Sequence, residues 1–201
     1  MSWLQGGPFL EVSLLTEEVD IRNLINLVSL HKCVNILEEN IEEKINLFNT
    51  GYLYDDEDSN SHKIHTISLN IFVELLGKRK SLLLIHRVAE KTLLLDFCFY
   101  GSEYDALEWG QQGIRESEYH HFVSFFSDVL KYFQGIAGTV AIEADILGLI
   151  SETQTWPNIV FNYKNINSTE IFKQGEQHKN YIAVGVNSEE EIHIQSFESN
   201  S

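Results

Sequence analysis

Carboxylates are the commonest chemistry-bearing groups in this chain. It holds 30 Asp and Glu against 14 Lys and Arg in 201 residues, a formal net charge of −16. Carboxylate catalysis needs two such groups across a cleft, one holding a proton and one ionised. So many acids allow many pairs. Glu108 and Glu143 are the least arbitrary choice, because both flank one strand–loop–helix–strand unit. The densest acidic run is Asp55-Asp56-Glu57-Asp58. It lacks the alternating oxygen ligands, central glycine and closing glutamate of a Ca²⁺ loop. It reads as a solvated loop tip or a partner-facing acidic rim. His62 and His65 lie just beyond it, but short matches to a metal set arise often by chance. His120 and His121 point about 100° apart on a helix, whereas chelation favours the i, i+4 spacing. No metal and no cofactor is expected.

Other chemistries find no foothold. The chain has no GxSxG elbow, no HExxH and no GxxxxGK[ST] or GxGxxG phosphate loop. Cys33 falls in a helical pattern and Cys98 in a strand, without metal spacing, so both are expected as reduced thiols of a cytoplasmic protein. No basic region followed by an apolar core marks a signal peptide, and no apolar run reaches a membrane span. Lys78-Arg79-Lys80 reads as edge protection at a turn.

The elements that must position these groups follow from periodicity. Phe9 to Leu15 predicts a strand, and Thr16 an N-cap for a helix. Ile21, Leu24, Ile25 and Val28 share one helical face. Leu37, Ile41, Ile45 and Phe48 form a second stripe. Residues 17–48 fit one bent helix or two, with the break at Cys33 to Asn35. Three strands follow: one alternating through Ile67, Leu69, Ile71 and Val73, a second at Ser81 to Arg87, a third at Thr92 to Tyr100. In the third, Leu93, Leu95, Phe97 and Phe99 face one way and Leu94, Asp96, Cys98 and Tyr100 the other, which suits a meander with one covered face. Ser117 opens a helix striped by Phe122, Phe126, Val129, Leu130 and Phe133, and Gly135 stops it. Gly138 to Glu143 is a strand, and Ala144 to Ile150 a short helix or turn. Past Ser151 the pattern weakens to an edge strand at Ile159 to Tyr163 and a hairpin from Tyr181 to Phe197.

The fold class expected is α+β: a mainly antiparallel sheet with helices packed on one face, with a decorated ferredoxin-like order among the arrangements that satisfy it. The length suits a single domain over residues 1–201, with 151–201 as a C-terminal strand extension.

Between the third strand and the long helix lies Glu103-Tyr104-Asp105-Ala106-Leu107-Glu108-Trp109-Gly110. Tyr104 and Trp109 are amphipathic side chains of the kind that dominate interface energies. Glu103, Asp105 and Glu108 would ring them with charge complementary to Lys and Arg. The competing reading, that Trp109 folds inward to plug the sheet end, stands level with it. The acid surplus opposes nucleic-acid and anionic-membrane binding, since both surfaces are negative, and favours a basic protein partner.

Phe99-Tyr100-Gly101-Ser102, Glu108-Trp109-Gly110-Gln111, Gly113-Ile114 and Gly138-Thr139 with Ile142-Glu143 and Asp145 resemble a pattern in small bacterial immunity proteins of polymorphic toxin systems. The resemblance spans about residues 97–146. It implies a non-enzymatic, cytoplasmic inhibitor that binds a cognate toxin domain, and it carries over no catalytic residue. A basic nuclease domain would suit the charge. The expected partner-binding residues are Tyr104, Asp105, Glu108 and Trp109, with Asp55, Asp56, Glu57 and Asp58 as a rim. The alternative is a carboxylate-based, metal-assisted hydrolase using Glu108, Glu143 or Asp145.

Overall fold

Strand β1 (Phe9–Glu17) lies near the middle of the sheet and pairs with β7 (Thr92–Tyr100) on one side and β8 (Ala137–Ile142) on the other. The computed structural model describes residues 3–4, 7–17, 20–53, 63–103, 110, 112–150, 167–188 and 191–197. The remaining strands of the sheet are β2 (Val34–Ile36), β5 (Thr66–Glu74), β6 (Lys78–Ala89), β9 (Tyr181–Asn187) and β10 (Ile192–Ser196). The order is β10-β9-β8-β1-β7-β6-β5-β2, and every pairing is antiparallel. A separate two-stranded ribbon joins β3 (Tyr52–Leu53) to β4 (Lys63–Ile64). The helices are α1 (Ile21–Leu30), α2 (Ile41–Thr50), α3 (Tyr119–Tyr132), α4 (Leu147–Ile150) and α5 (Ser168–Gln177). The fold is therefore α+β. Its central run β8-β1-β7-β6 has the ferredoxin-like order, in which the last strand of the set lies beside the first and the third on the first's other flank.

Strand alternation sorts the two faces of this sheet. Leu10, Val12 and Leu14 of β1 and Leu93, Leu95, Phe97 and Phe99 of β7 meet the apolar stripes of α1, α2 and α3 in the main core. Aromatic contacts lock α3 to the sheet: Phe97 against Phe125 at 5.3 Å and Phe99 against Phe122 at 5.1 Å, both edge-on. Gly138 of β8 lies under Phe126, and a Cβ there would collide with that ring and with the Ser13 carbonyl. The opposite face is covered too. Leu15, Leu94, Ala137 and Val184 pack with Leu147 and Leu149 of α4 and Ile171 of α5. All nine residues of β7 are buried, so the meander is covered on both sides where the sequence pattern predicted one covered face.

Several expected boundaries move. Thr16 does not cap a helix; it ends inside β1, where its hydroxyl donates to the Phe133 carbonyl at 3.0 Å. Asp20 caps α1 instead, accepting from the Arg22 amide at 2.7 Å. Residues 17–48 form two helices separated by β2, and Cys33 sits half-buried just before that strand rather than in a helix. Ser117 falls in a 3₁₀ turn, Glu116–Glu118, ahead of α3. Helix α5 was not expected at all. Its interior glycine, Gly175, weakens the helical pattern, yet a side chain there would meet Val184 and Phe197. The proposed edge strand at Ile159 to Tyr163 lies outside the described residues.

Candidate functional site

Tyr104, Asp105, Glu108 and Trp109, together with Asp55, Asp56, Glu57 and Asp58, lie outside the described residues. The structure does describe how both segments are held at their ends. The β3–β4 ribbon, with Tyr52 opposite Ile64 and Leu53 opposite Lys63, brackets the acidic run. The acidic-aromatic loop is bracketed more firmly. Arg115 Nε donates to Glu103 Oε2 at 2.7 Å, and the Arg115 amide donates to Glu118 Oε2 at 3.0 Å. The other Glu118 oxygen takes Arg79 NH2 at 2.5 Å, while Arg79 NH1 donates to the Gly113 carbonyl at 2.9 Å. Gly113 itself packs against the backbone of Ser102 and Glu103, with no space for a Cβ. The two ends of the loop are thus in direct contact. Arg79 does not protect an edge, as its basic neighbours suggested. It is 4% exposed and belongs to this staple.

The face of the sheet away from α1, α2 and α3 carries a second constellation, built from alternation in two adjacent strands. In β1, Glu11 and Ser13 point there; in β7, Asp96 and Cys98 do. Antiparallel register sets Glu11 opposite Cys98 and Ser13 opposite Asp96. The β8 register sets Ser13 opposite Thr139, and their hydroxyls lie 2.9 Å apart. Just past β8, the Ile146 amide donates to Ser13 Oγ at 3.0 Å, which draws the Asp145 turn over the strand. Asp145 Oδ1 accepts from the amides of Leu147 at 2.8 Å and Gly148 at 3.3 Å, and Tyr181 of β9 donates its hydroxyl to the Asp145 carbonyl at 2.9 Å. The Cys98 thiol donates to Asp96 Oδ2 at 3.5 Å; Asp96 Oδ1 is buried with no hydrogen-bond partner among the described residues.

Three buried or half-buried carboxyl groups therefore share one patch, and their acidities respond. Burial pushes Glu11 up to about 7, helped by the charges of Asp145 and Glu143. Burial also raises Asp96 far above the carboxylate range, with Glu11 and Asp145 adding to it against the Cys98 hydrogen bond. Asp145 is raised by burial, opposed by its two backbone amides. Burial pushes Tyr181 up to about 12, with Asp145 and Glu11 contributing, and raises the Cys98 thiol in the same way. Near neutral pH the patch holds protons that free carboxyls would have released, the signature of groups poised for acid–base work or for an ionic partner.

Asp145, singled out in the sequence, joins this patch, and Glu143, exposed, lies close enough to act on Glu11 through its charge, whereas Glu108 lies outside the described residues. Glu11 and Asp96 were missed. The available signal was the period-two alternation that puts Glu11, Ser13, Asp96 and Cys98 on matching faces of their strands. The pairing of β1 with β7, some eighty residues apart in the chain, is what the sequence does not display. No cluster of three or more His, Cys, Asp or Glu suited to a metal occurs among the described residues. His65 is occupied by the Phe48 carbonyl at 2.8 Å, and the rings of His120 and His121 lie tilted against each other, their centroids 3.7 Å apart.

The outer surface of the helices offers apolar side chains between acids. Leu30 of α1 is 74% exposed and Leu47 of α2 63%, while Glu39, Glu42 and Glu43 are exposed beside them in the chain. The Arg22–Glu42 ion pair joins α1 to α2 across a 420 Å³ groove floored by Ile25, Ile36, Ile41 and Ile45. No helix among the described residues is long and apolar enough to cross a membrane. Comparison with known proteins adds no constraint: no protein family, no curated protein and no solved structure matches the chain.

Proposed function

We propose that this chain is an immunity-type inhibitor that binds a cognate bacterial toxin domain in the cytoplasm and neutralises it by protein–protein contact. The contact surface is the acidic-aromatic loop, with Tyr104 and Trp109 as anchors, Asp105 and Glu108 as charges, and Asp55 to Asp58 as the rim. The observation that carries this reading is the staple at the loop's base. Arg115–Glu103 and Arg79–Glu118, with Gly113 wedged on Ser102, fix the exit and return of the chain. A loop held at both ends loses less entropy on binding than a slack one. The net charge of −16 supports a basic partner, such as a nuclease domain with a cationic substrate cleft, through steering of the encounter.

The test is co-expression with the toxin domain that the tagged chain captures at low and moderate salt. Growth rescue by the wild-type chain, lost in the Glu108→Lys/Trp109→Ala variant with an unchanged circular dichroism spectrum, is the expected outcome. Rescue retained by that variant but lost in Leu30→Lys/Leu47→Lys would move the contact to the helical face. A captured toxin that remains lethal in the presence of the chain would sink the inhibitor reading.

A carboxylate-based hydrolase is the second reading, favoured by the convergence of Glu11, Asp96 and Asp145. Glu11, protonated up to about pH 7, would act as general acid, and a neighbouring carboxylate as base or nucleophile. Ester, phosphoester and glycoside substrates assayed with and without divalent cations test it. Turnover abolished in folded Glu11→Gln and Asp145→Asn chains is required; a wild-type chain without turnover removes this reading.

A further inference from the structure

A small cationic, aromatic-lined pocket lies where β6 begins beside the ends of β5 and β7, on the same face of the sheet as the acid patch but lined by none of its carboxyl groups. Phe72 of β5, Lys78, Arg79 and Lys80 of β6, Tyr100 of β7, and Gly110 and Gln112 line about 200 Å³. We propose that this pocket binds a phosphate-type oxyanion, either free or as the phosphoryl group of a small monoester.

The argument begins with the spacing of the two lysines. Residues i and i+2 on a strand point to the same face, about 7 Å apart, so Lys78 and Lys80 present two ammonium groups to one place. In a chain with more than two acids per base, Arg22, Lys32, Lys44, Arg79 and Arg115 each meet a carboxylate. Lys78 and Lys80 instead lie over rings: Lys78 Nζ is 3.9 Å from the centre of Phe72, and Lys80 Nζ 4.8 Å from the Trp3 ring. Trp3 stands edge-on to Phe72 at 5.1 Å and is fixed by its indole N–H, which donates to the Ser81 carbonyl at 2.8 Å. The rings thus hold both cations in place without neutralising them. Glu74 is opposite Lys78 in the register yet forms no ion pair with it, so it tempers the site's charge from one side only.

One further donor adjoins: Gln112, exposed at the pocket's lining, carries a side-chain amide. Positive charge plus several N–H donors is the chemistry that holds a tetrahedral oxyanion. The volume decides the size. Pockets for drug-sized ligands begin near 300 Å³. A space of about 200 Å³ takes a phosphoryl group with a short substituent and leaves no room for a nucleoside. The protein's overall charge repels anions, so an anion that binds here does so through these residues rather than by general attraction.

The experiment is ¹H–¹⁵N NMR titration of the full chain at constant ionic strength with inorganic phosphate, glycerol 3-phosphate and acetate. Saturable shifts at the Lys78–Lys80 amides, the Gln112 side chain and the Trp3 indole are expected with at least one phosphate probe, and weaker ones with acetate. Inorganic phosphate alone saturating identifies a free anion; glycerol 3-phosphate binding more tightly identifies a monoester. Lys78→Gln/Lys80→Gln should weaken binding at least tenfold, and Glu74→Gln should tighten it. Shifts no larger than those from added chloride, or shifts that persist unchanged in the lysine variant, overturn the assignment. Both variants alter exposed or half-exposed positions, and their spectra report directly whether the fold is kept.

Discussion

Glu11→Gln should stabilise this protein, and the gain should depend on pH in a calculable way. Glu11 ionises near 4.5 when free and near 7 in the fold, chiefly because the fold buries it. Between those values the folded chain keeps a proton that the unfolded chain has lost. The unfolded state then binds fewer protons, so stability falls as pH rises, by about 1.4 kcal/mol per pH unit from this group. Glu11's contribution is therefore fully present below about pH 4.5 and lost as pH climbs through about 7. The whole interval is worth about 3 kcal/mol. Glutamine has the same shape and no charge to desolvate. The variant should match the wild type at pH 4 and exceed it by about 3 kcal/mol at pH 8, or roughly 6–12 °C in Tm for a chain of this size. Urea unfolding of both proteins from pH 4 to 8 measures the difference directly, and other titrating groups largely cancel in it. A stability difference that is flat across that range refutes the reasoning, as does a variant that is less stable at pH 8.

His86 should behave with the opposite sign. Burial pushes its imidazole down to about 4, so its contribution is present above the free value of 6.5 and is lost as pH falls towards 4. Its ring resonances should stay still from pH 7 to 5; an NMR titration midpoint near 6.5 contradicts the burial argument. Glu118→Ala leaves Arg79, 4% exposed, without its carboxylate and should cost about 3–5 kcal/mol in urea unfolding, whereas Arg79→Met/Glu118→Leu should recover most of it. Equal losses in the single and double variants would show that packing, and not the orphaned charge, sets the cost. Because Glu118 also holds the Arg115 amide, the single variant should in addition weaken partner capture by the loop it staples.

The parts of this fold that were legible in the sequence are those specified locally. The third strand of the meander runs from Thr92 to Tyr100 as its alternation predicts, and α3 stops before Gly135. Two helices replace the ambiguous segment 17–48, with the break at Cys33 to Asn35 where the apolar stripe loses its phase. What stayed hidden depends on distant contacts. Thr16 looks like a cap because its type and its following glutamates fit one, but its partner is a carbonyl of residue 133, and the ladder to β7 carries β1 on to Glu17. Lys78-Arg79-Lys80 looks like one charged cluster. Strand alternation sends Arg79 inward to Glu118 and leaves the two lysines together on the other face. The same alternation hides the acid patch, since Glu11 and Asp96 each look like an ordinary outward-facing acid until β1 and β7 are paired.

That pairing has an energetic consequence bearing on function. Two central strands with both faces covered need no ionisable group, and apolar side chains at Glu11 and Asp96 would pack without a desolvation cost. Glu11 alone forfeits about 3 kcal/mol at pH 8, a large share of the 5–15 kcal/mol that holds a typical domain together. Asp96 adds to this with an oxygen that meets no donor. Backbone amides and the Cys98 thiol soften the arrangement without offsetting it, as the raised pKa values of all three carboxyls show. The loop staple differs in kind, because its charges are paired and its carbonyl contacts are made. A stability argument alone accounts for the staple and leaves the acid patch unexplained. The patch is therefore the place where a function beyond holding the loop is to be sought, and Glu11→Gln separates the two roles. Under the proposed inhibitor function, a more stable chain that still rescues cells from a captured toxin would assign the contact to the loop and leave the patch to its own chemistry. A more stable chain that fails to rescue would place the patch within the proposed contact surface.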